Sequence, residues 1–448
     1  MKFWPLLFVP ALLAAQQANP VTFSKHIAPI IFNNCAECHR PGEAAPFSLL
    51  SYQDVAKRGK IIASVTQSRF MPPWKAEDTS FAFRDQRRLK DTEIALLQEW
   101  VKQGMPEGNA GETPALPKFA SGWRLGEPDL VVEMPAGYHI PADGADIYRN
   151  IAIPLGLTEN KWVTAIDMKP TARSVVHHVL YFADPTAKAH SRASEGSEIG
   201  FSGMTAGGAS VTLGGWALGA QPHFFPNGLA MELPKGSDFV IQYHFHPNGK
   251  PDVEKSVIGF YFAKQAPEKR LISIMLPPVY SLFSGINIPP GEKDYVLRDS
   301  YTLPVDVDAV GVSAHAHYIA RQMKLTATLP SGEVKTLLLI KDWDFAWQDR
   351  YFFQDSQILP KGTRLDGEVH WDNSAENPRN PSNPPISVEW GEQSKDEMGM
   401  VNLIAVPHQK DDITALRQDY GKHQNQIMMQ GMKQDPALSK KLQTLLQQ

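Results

Sequence analysis

The stretch CAECH, Cys35-Ala36-Glu37-Cys38-His39, holds the chain's only two cysteines and a histidine directly after them. Two thiols at this spacing can bond to the two vinyl groups of a heme while the next imidazole ligates iron. A redox disulfide or half of a zinc site would use the same residue types. The first belongs in a βαβ context and the second needs another ligand pair nearby, and the sequence offers neither. A covalent heme c on Cys35, Cys38 and His39 is therefore expected. Its sixth ligand is expected from Met71 in SRFMPPWKAED, where two prolines stiffen the loop. Met105 in QGMPEG is the second choice, because it follows the helix that closes this region and a methionine more often fills a core.

Fourteen histidines are present, and several fall in close pairs. IQYHFHPNG carries His244 and His246, and VSAHAHYIA carries His315 and His317. On a strand, residues two apart face the same side, so each pair is an arm that could grip a metal. Either pair alone could be a surface or cross-strand packing feature. SVVHHVLYF adds His177 and His178 side by side, which a regular strand would send to opposite faces. Only a bend or bulge could bring both to one site. Three such clusters in one β-rich region point to metal binding.

These segments, in this order, resemble the copper type II, ascorbate-dependent monooxygenases, the family of the peptidylglycine α-hydroxylating and dopamine β-monooxygenases. The likeness covers approximately residues 124 to 408. VVHHVLYF is similar to the His-His strand of the electron-receiving copper, GGWALGAQPHFFP to the stretch that follows it, and FVIQYHFHPNG to the strand giving the third ligand. VSAHAHYIA resembles the pair on the dioxygen-binding copper, and SKDEMGMVNL the segment whose methionine completes it. The resemblance implies two copper ions, one held by His177, His178 and His244, the other by His315, His317 and Met398, facing each other across a solvent-filled cleft. His315, His317 and Met398 would be the catalytic set. Imidazole suits both copper oxidation states and a thioether favours Cu(I), the state that meets dioxygen. Met398 is a poor zinc ligand, which counts against zinc. His223, His246 and His370 are left over as structural or supporting histidines.

The implied activity is hydroxylation of a C–H bond of a small organic substrate with dioxygen. Electrons would come from the heme or from an ascorbate-like reductant or redox protein. The alternative is a non-catalytic electron-transfer or copper-binding protein. The chain departs from the peptide-hydroxylating member at the substrate positions, with Ser313 where that member has an arginine, and Met400 and Asn402 where it has an asparagine and a tyrosine. It also lacks that family's disulfides. A peptide ending in glycine is therefore not the expected substrate.

The elements that must position these residues follow from pattern. MKFWPLLFVPALLAAQQANP has a lysine, a short apolar run and small residues, the pattern of an export signal over 1–18, so a periplasmic or secreted protein is expected. A helix near 23–32, the heme motif, the Met71 loop and the helix DTEIALLQEWVKQG, with Ile94, Leu97 and Val101 on one stripe, resemble a small class I cytochrome c over 19–110. Residues 111–123, rich in Pro, Gly and Ala, read as a linker. From there DLVVEM, NIAIPL, DFVIQYHFH, SVIGFYFA, QMKLTATL, KTLLLI and VNLIAVP alternate between turn residues. The expected fold is a small all-α cytochrome c domain followed by two tandem all-β sandwich, jelly-roll-like domains, at 124–268 and 269–408. A helical tail follows over 409–448, with Leu438, Leu442 and Leu445 on a stripe. The chain of 448 residues is long enough for several cores, and its net charge of -4 shows no basic stripe, which argues against nucleic acid. No transmembrane segment is expected.

Overall fold

The computed structural model describes residues 20–43, 45–119, 122–194, 196, 198–202, 211–217, 220–435, 438 and 440. The expected export signal (1–18), Leu442 and Leu445 of the tail stripe, and residues 218–219 of the GGWALGAQPHFFP stretch lie outside the described residues.

The expected fold is overturned at its N-terminal end. Among the described residues the chain is 34% strand and 20% helical in six sheets, with one long helix, Ile413–Gln434, at the C-terminal side, and no N-terminal all-α cytochrome domain. The architecture is therefore not an all-α domain followed by two sandwiches. The early helices are short: Ala28–Asn34, Tyr52–Ala56, Gly59–Gln67 and Asp91–Lys102. Gly, Pro and Ser over 41–51 and the Met71-Pro72-Pro73 stretch interrupt them. The chain divides into two units, one of residues 20–72 and 87–119, the other of 73–86 and the remainder.

In the first unit the apolar stripe of Asp91–Lys102, namely Ile94, Leu97 and Trp100, is buried with Phe23, Ile27 and Ile31. The Glu93 carboxylate accepts the Lys90 backbone N–H at 2.8 Å, so Lys90 rather than Asp91 caps this helix.

In the second unit the alternating runs are strands. Sheets from the first half and from the second half of this unit do not share strands. In the first half, Asp238–Phe245 is buried at every position, because it lies between Ile147–Pro154 and Val176–Asp184 in a five-stranded antiparallel sheet. A four-stranded sheet containing Lys161–Lys169 and Val257–Phe262 faces it across a core that includes Val179, Phe239, Tyr243, Ile258 and Phe260. In the second half, Gly399–Pro407 holds the same central place between Ile272–Leu276 and Val307–Ala316. Its core contains Val312, Ala314, Ala316, Leu365, Val369, Trp371, Val401 and Leu403.

Residues 73–86 belong to this second core. Trp74, Ala76 and Phe83 are buried in it, and Ala76 and Phe83 make isolated bridges to Ile340 and Phe353. The Phe83 ring stacks on Phe353 with centroids 5.5 Å apart. Leu416 and Tyr420 of the helix Ile413–Gln434 enter the same core. Among the described residues, no helix is long and apolar enough to cross a membrane.

If residues 73–86 are a structural part of the second unit, Phe83→Ala removes a buried ring from its core. The expected loss of stability is about 3 kcal/mol, read in urea unfolding by a probe in the β unit. An unchanged midpoint would show that the segment only rests on the surface.

Candidate functional site

His177 reaches the site through a fault in the ladder. Val176 pairs with Phe245 and His178 with His244, so two residues on one strand oppose a one-residue step on the other and His177 is the extra residue of a bulge. The bulge brings adjacent imidazoles to one place. The Nδ1 atoms of His177 and His178 are 3.0 Å apart, and those of His178 and His244 are 3.4 Å apart. Nitrogens about 2.0 Å from one metal in tetrahedral directions lie about 3.3 Å from each other. The three ligand atoms fall within 4.8 Å of one another and form the one His, Cys, Asp or Glu cluster of that kind among the described residues.

The His244 ring is fixed from behind. Its Nε2–H donates to Asp146 Oδ2 at 3.1 Å, which leaves the Nδ1 lone pair facing the other two rings. Asp146 also accepts from His246 Nδ1 at 2.7 Å and from the Ser394 hydroxyl. Burial pushes this carboxyl up, but the hydrogen bonds from His244 and Ser394 outweigh it and hold Asp146 below the usual carboxylate range. The Tyr148 ring stacks on His244 at 4.4 Å and its hydroxyl donates to the Glu392 carbonyl at 2.7 Å.

His315 and His317 sit on and just beyond Val307–Ala316, on the face turned away from the second core. Their rings are 5.4 Å apart. His315 Nδ1–H donates to Gln348 Oε1 at 2.6 Å and His317 Nδ1–H to the Asp396 carbonyl at 3.0 Å, so both Nε2 atoms are left to face a ligand. Met400 pairs with His315 and Gly399 with Ala316, where the ladder ends; Met398, one residue before that strand begins, is buried. Glu397 holds this end together. Its carboxylate accepts the backbone N–H of His317 at 2.9 Å and of Ile319 at 2.8 Å, and the indole N–H of Trp371 at 2.9 Å. Burial raises its pKa to about 8, against the opposing pull of these bonds.

Burial also disfavours the charged form of each imidazole. It lowers His177 to about 3, with His244 as the next cause, and His315 to about 4, despite the bond to Gln348. It lowers His178 and His317 well below the usual range and His244 less far, since Asp146 opposes the shift. Neutral rings with inward lone pairs could hold a cation.

The two histidine sets adjoin. The His178 and His315 ring centroids are 6.1 Å apart, and the Phe345 ring lies 4.2 Å from His177 and 5.5 Å from His317. Of the remaining histidines, His246 joins Asp146, His370 Nδ1 lies 2.7 Å from Asp294 and His223 Nδ1 3.5 Å from Asp85.

In the first unit, Cys35 and Cys38 are not joined in a disulfide. His39 Nδ1–H donates to the Phe47 carbonyl at 3.2 Å, leaving Nε2 available, and the ring packs on Phe47. Burial lowers the His39 pKa and raises that of Cys35 to about 12. The Met105 sulfur lies 2.5 Å from where a Cβ on Gly59 would stand, and Met105 packs against the Trp100 cluster. Met105 is thus a packing residue, while Met71 is partly exposed with its backbone N–H on Val65.

Sequence reasoning gave no role to Asp146, Gln348, Phe345 or Glu397. Glu397 was visible inside the DEM segment, but nothing marked it as a clamp. Asp146 stands in a loop with no neighbouring motif.

No protein-family model and no curated protein matches the chain. Among solved structures it is similar to the major capsid protein P2 from bacteriophage PM2, at 10% identity over 58% of this chain and 97% of that one, with a TM-score of 0.24. It is also similar to PNGF-II, at 9% identity over 59% and 60%, TM-score 0.25. The VP2 subviral particle of infectious bursal disease virus gives 8% identity over 67% and 76%, TM-score 0.19. Likenesses this distant carry no argument about this chain.

Because Asp146 orients only the three-histidine set, Asp146→Ala should weaken copper at that set about 10–100-fold and leave the His315 set within twofold. Competition titration with a Cu(I) chelator reads two steps. Equal weakening of both steps would remove this assignment of Asp146.

Proposed function

We propose that this protein is an exported, heme c-containing dicopper monooxygenase that hydroxylates a C–H bond of a small organic substrate. The observation that supports it is the pair of adjoining sets with different donors. One has three converging Nδ1 atoms from His177, His178 and His244, and the other has His315 and His317 with their Nε2 atoms unused and buried Met398 at the start of the strand that pairs with His315. A storage protein has no use for two chemically distinct sets side by side.

Copper, when bound, would supply dioxygen activation at the imidazole and thioether set and one-electron delivery from the three-imidazole set. The overall balance is one substrate C–H bond, dioxygen, two electrons and two protons giving the alcohol and water. Cys35, Cys38, His39 and Met71 would hold a heme able to supply the electrons singly, in place of or alongside an ascorbate-like donor. The protein's own residues do the positioning. Asp146 fixes His244, Gln348 fixes His315, and Glu397 with the Asp396 carbonyl fixes His317. Phe345 and Tyr280 cover the rings and limit water at the reacting edge.

Heme attachment is tested first. The purified chain should retain heme through denaturing electrophoresis, and a Cys35→Ser, Cys38→Ser double variant should lose it; heme lost from the wild type under these conditions ends the heme c assignment.

For the reaction, the copper-loaded, fully reduced protein is mixed with dioxygen in a stopped-flow instrument and the heme bands are followed. Rapid heme oxidation that slows at least tenfold in Met398→Ala is expected. If the heme stays reduced, or both proteins oxidise alike, the monooxygenase reading gives way to a non-catalytic electron-transfer or copper-binding protein.

A further inference from the structure

Val279, Tyr280 and Ser281 take, in succession, a backbone form that L-amino acids avoid. Their φ angles are +54°, +50° and +67°, and none of the three is glycine. Left-handed backbone crowds the Cβ against the following carbonyl, so such residues normally occur singly, and a β-branched valine is among the least suited to it. Val279 is 41% exposed, so burial of its own side chain is not what fixes the turn. The Tyr280 ring, at the centre of the run, lies edge-on to His315 with centroids 5.3 Å apart.

Strain of this kind persists only where the surroundings impose it. On the side of the site, the Ser281 hydroxyl donates to the Gly399 carbonyl, and Gly399 pairs with Ala316, between His315 and His317. The Trp390 indole N–H donates to the Tyr280 carbonyl at 2.9 Å. On the other side stands the helix Ile413–Gln434. Its Ile427 and Met428 pack, with Leu438, on Leu282 and Phe283, the two residues that follow the run. Gly431 comes so near that a Cβ there would collide with the Phe283 carbonyl, whereas a Cβ on Gly421 of the same helix would meet open space. The Leu282 N–H donates to the Val279 carbonyl at 3.0 Å and the Ser284 N–H to the Ser281 carbonyl at 2.9 Å, so these two amides report whether the turn is formed.

We infer that Val279–Ser281 is a sprung gate over His315. The C-terminal helix, seated on Leu282 and Phe283, holds the turn in its strained form with Tyr280 against the ring; when that seat loosens, the turn relaxes and the ring is uncovered. The helix thereby controls entry to the His315 and His317 pair. This control applies to whatever ligand the pair takes and does not depend on the monooxygenase reading. A glycine at 279 adopts the left-handed form without penalty, so it should quiet the gate, the reverse of the loosening that glycine brings to an ordinary turn.

Opening is measured on the full-length, metal-free chain in two ways. Hydrogen exchange at the Leu282 and Ser284 amides is followed by mass spectrometry. Carbethoxylation of His315 by diethyl pyrocarbonate is followed by peptide mapping, with the half-exposed His246 as reference. Val279→Gly should slow both rates about fivefold or more, the size of the strain at one residue. Val279→Thr, which keeps the β-branch, should stay within about twofold of the wild type. Gly431→Ala should speed both rates about fivefold or more, although alanine is the better helix former, and Gly421→Ala should change neither. Met428→Ala thins the same seat without adding bulk; it should act as Gly431→Ala does, and serves if that variant does not fold. Rates that rise or stay the same in Val279→Gly overturn the spring, and rates unmoved by both Gly431→Ala and Met428→Ala overturn the helix as its holder. Exchange that changes at the turn while His315 carbethoxylation does not would show a turn that opens without uncovering the ring, and overturns the gate.

Discussion

Five imidazoles gathered close to one another disfavour the charged form in each of them, and the local structure follows from that constraint. A charge on one ring would face the other rings and no carboxylate on its inner side. A neutral ring has one N–H and one lone pair, so each N–H that is given an outer acceptor turns a lone pair inward. Asp146 does this for His244, Gln348 for His315 and the Asp396 carbonyl for His317. Those acceptors are anchored in turn: Asp146 by His246 and Ser394, and the backbone around His317 by the buried Glu397. The 392–398 segment therefore serves both sets, touching one through Ser394 and the other through Asp396, Glu397 and Met398.

The two sets reach their geometry by different devices, and this decided what could be read from sequence. His315 and His317 obey the two-residue period of a strand, so their shared face was legible. The three-histidine set depends on a bulge at His177, and no residue type announces where a ladder will slip; the adjacency of two histidines in an otherwise apolar strand only posed the question. His246 looked like an equal partner of His244 by the same period. The strand ends at Phe245, however, and His246 turns out to the far side of Asp146.

The β runs were legible because alternation and turn residues mark them directly. The N-terminal region was not. Its helices are short, and the resemblance to a cytochrome led the eye to join them into one all-α domain, across a segment whose Trp74, Ala76 and Phe83 go to the β core. No period marks those three residues in the sequence, and the prolines at 72 and 73 read as the stiffening of a ligand loop.

The path of residues 73–86 also bears on how the molecule can be divided. The chain leaves the first unit at Pro72, gives the β unit three core side chains, and re-enters the first unit at Arg87. Neither unit is therefore a contiguous stretch of the polypeptide. A gene fragment beginning at the apparent linker would encode a β unit missing Trp74, Ala76 and Phe83, and one ending there would carry those apolar residues with no core to receive them. Cutting the molecule into separately expressible parts calls for a fourteen-residue graft or a circular rearrangement rather than simple truncation.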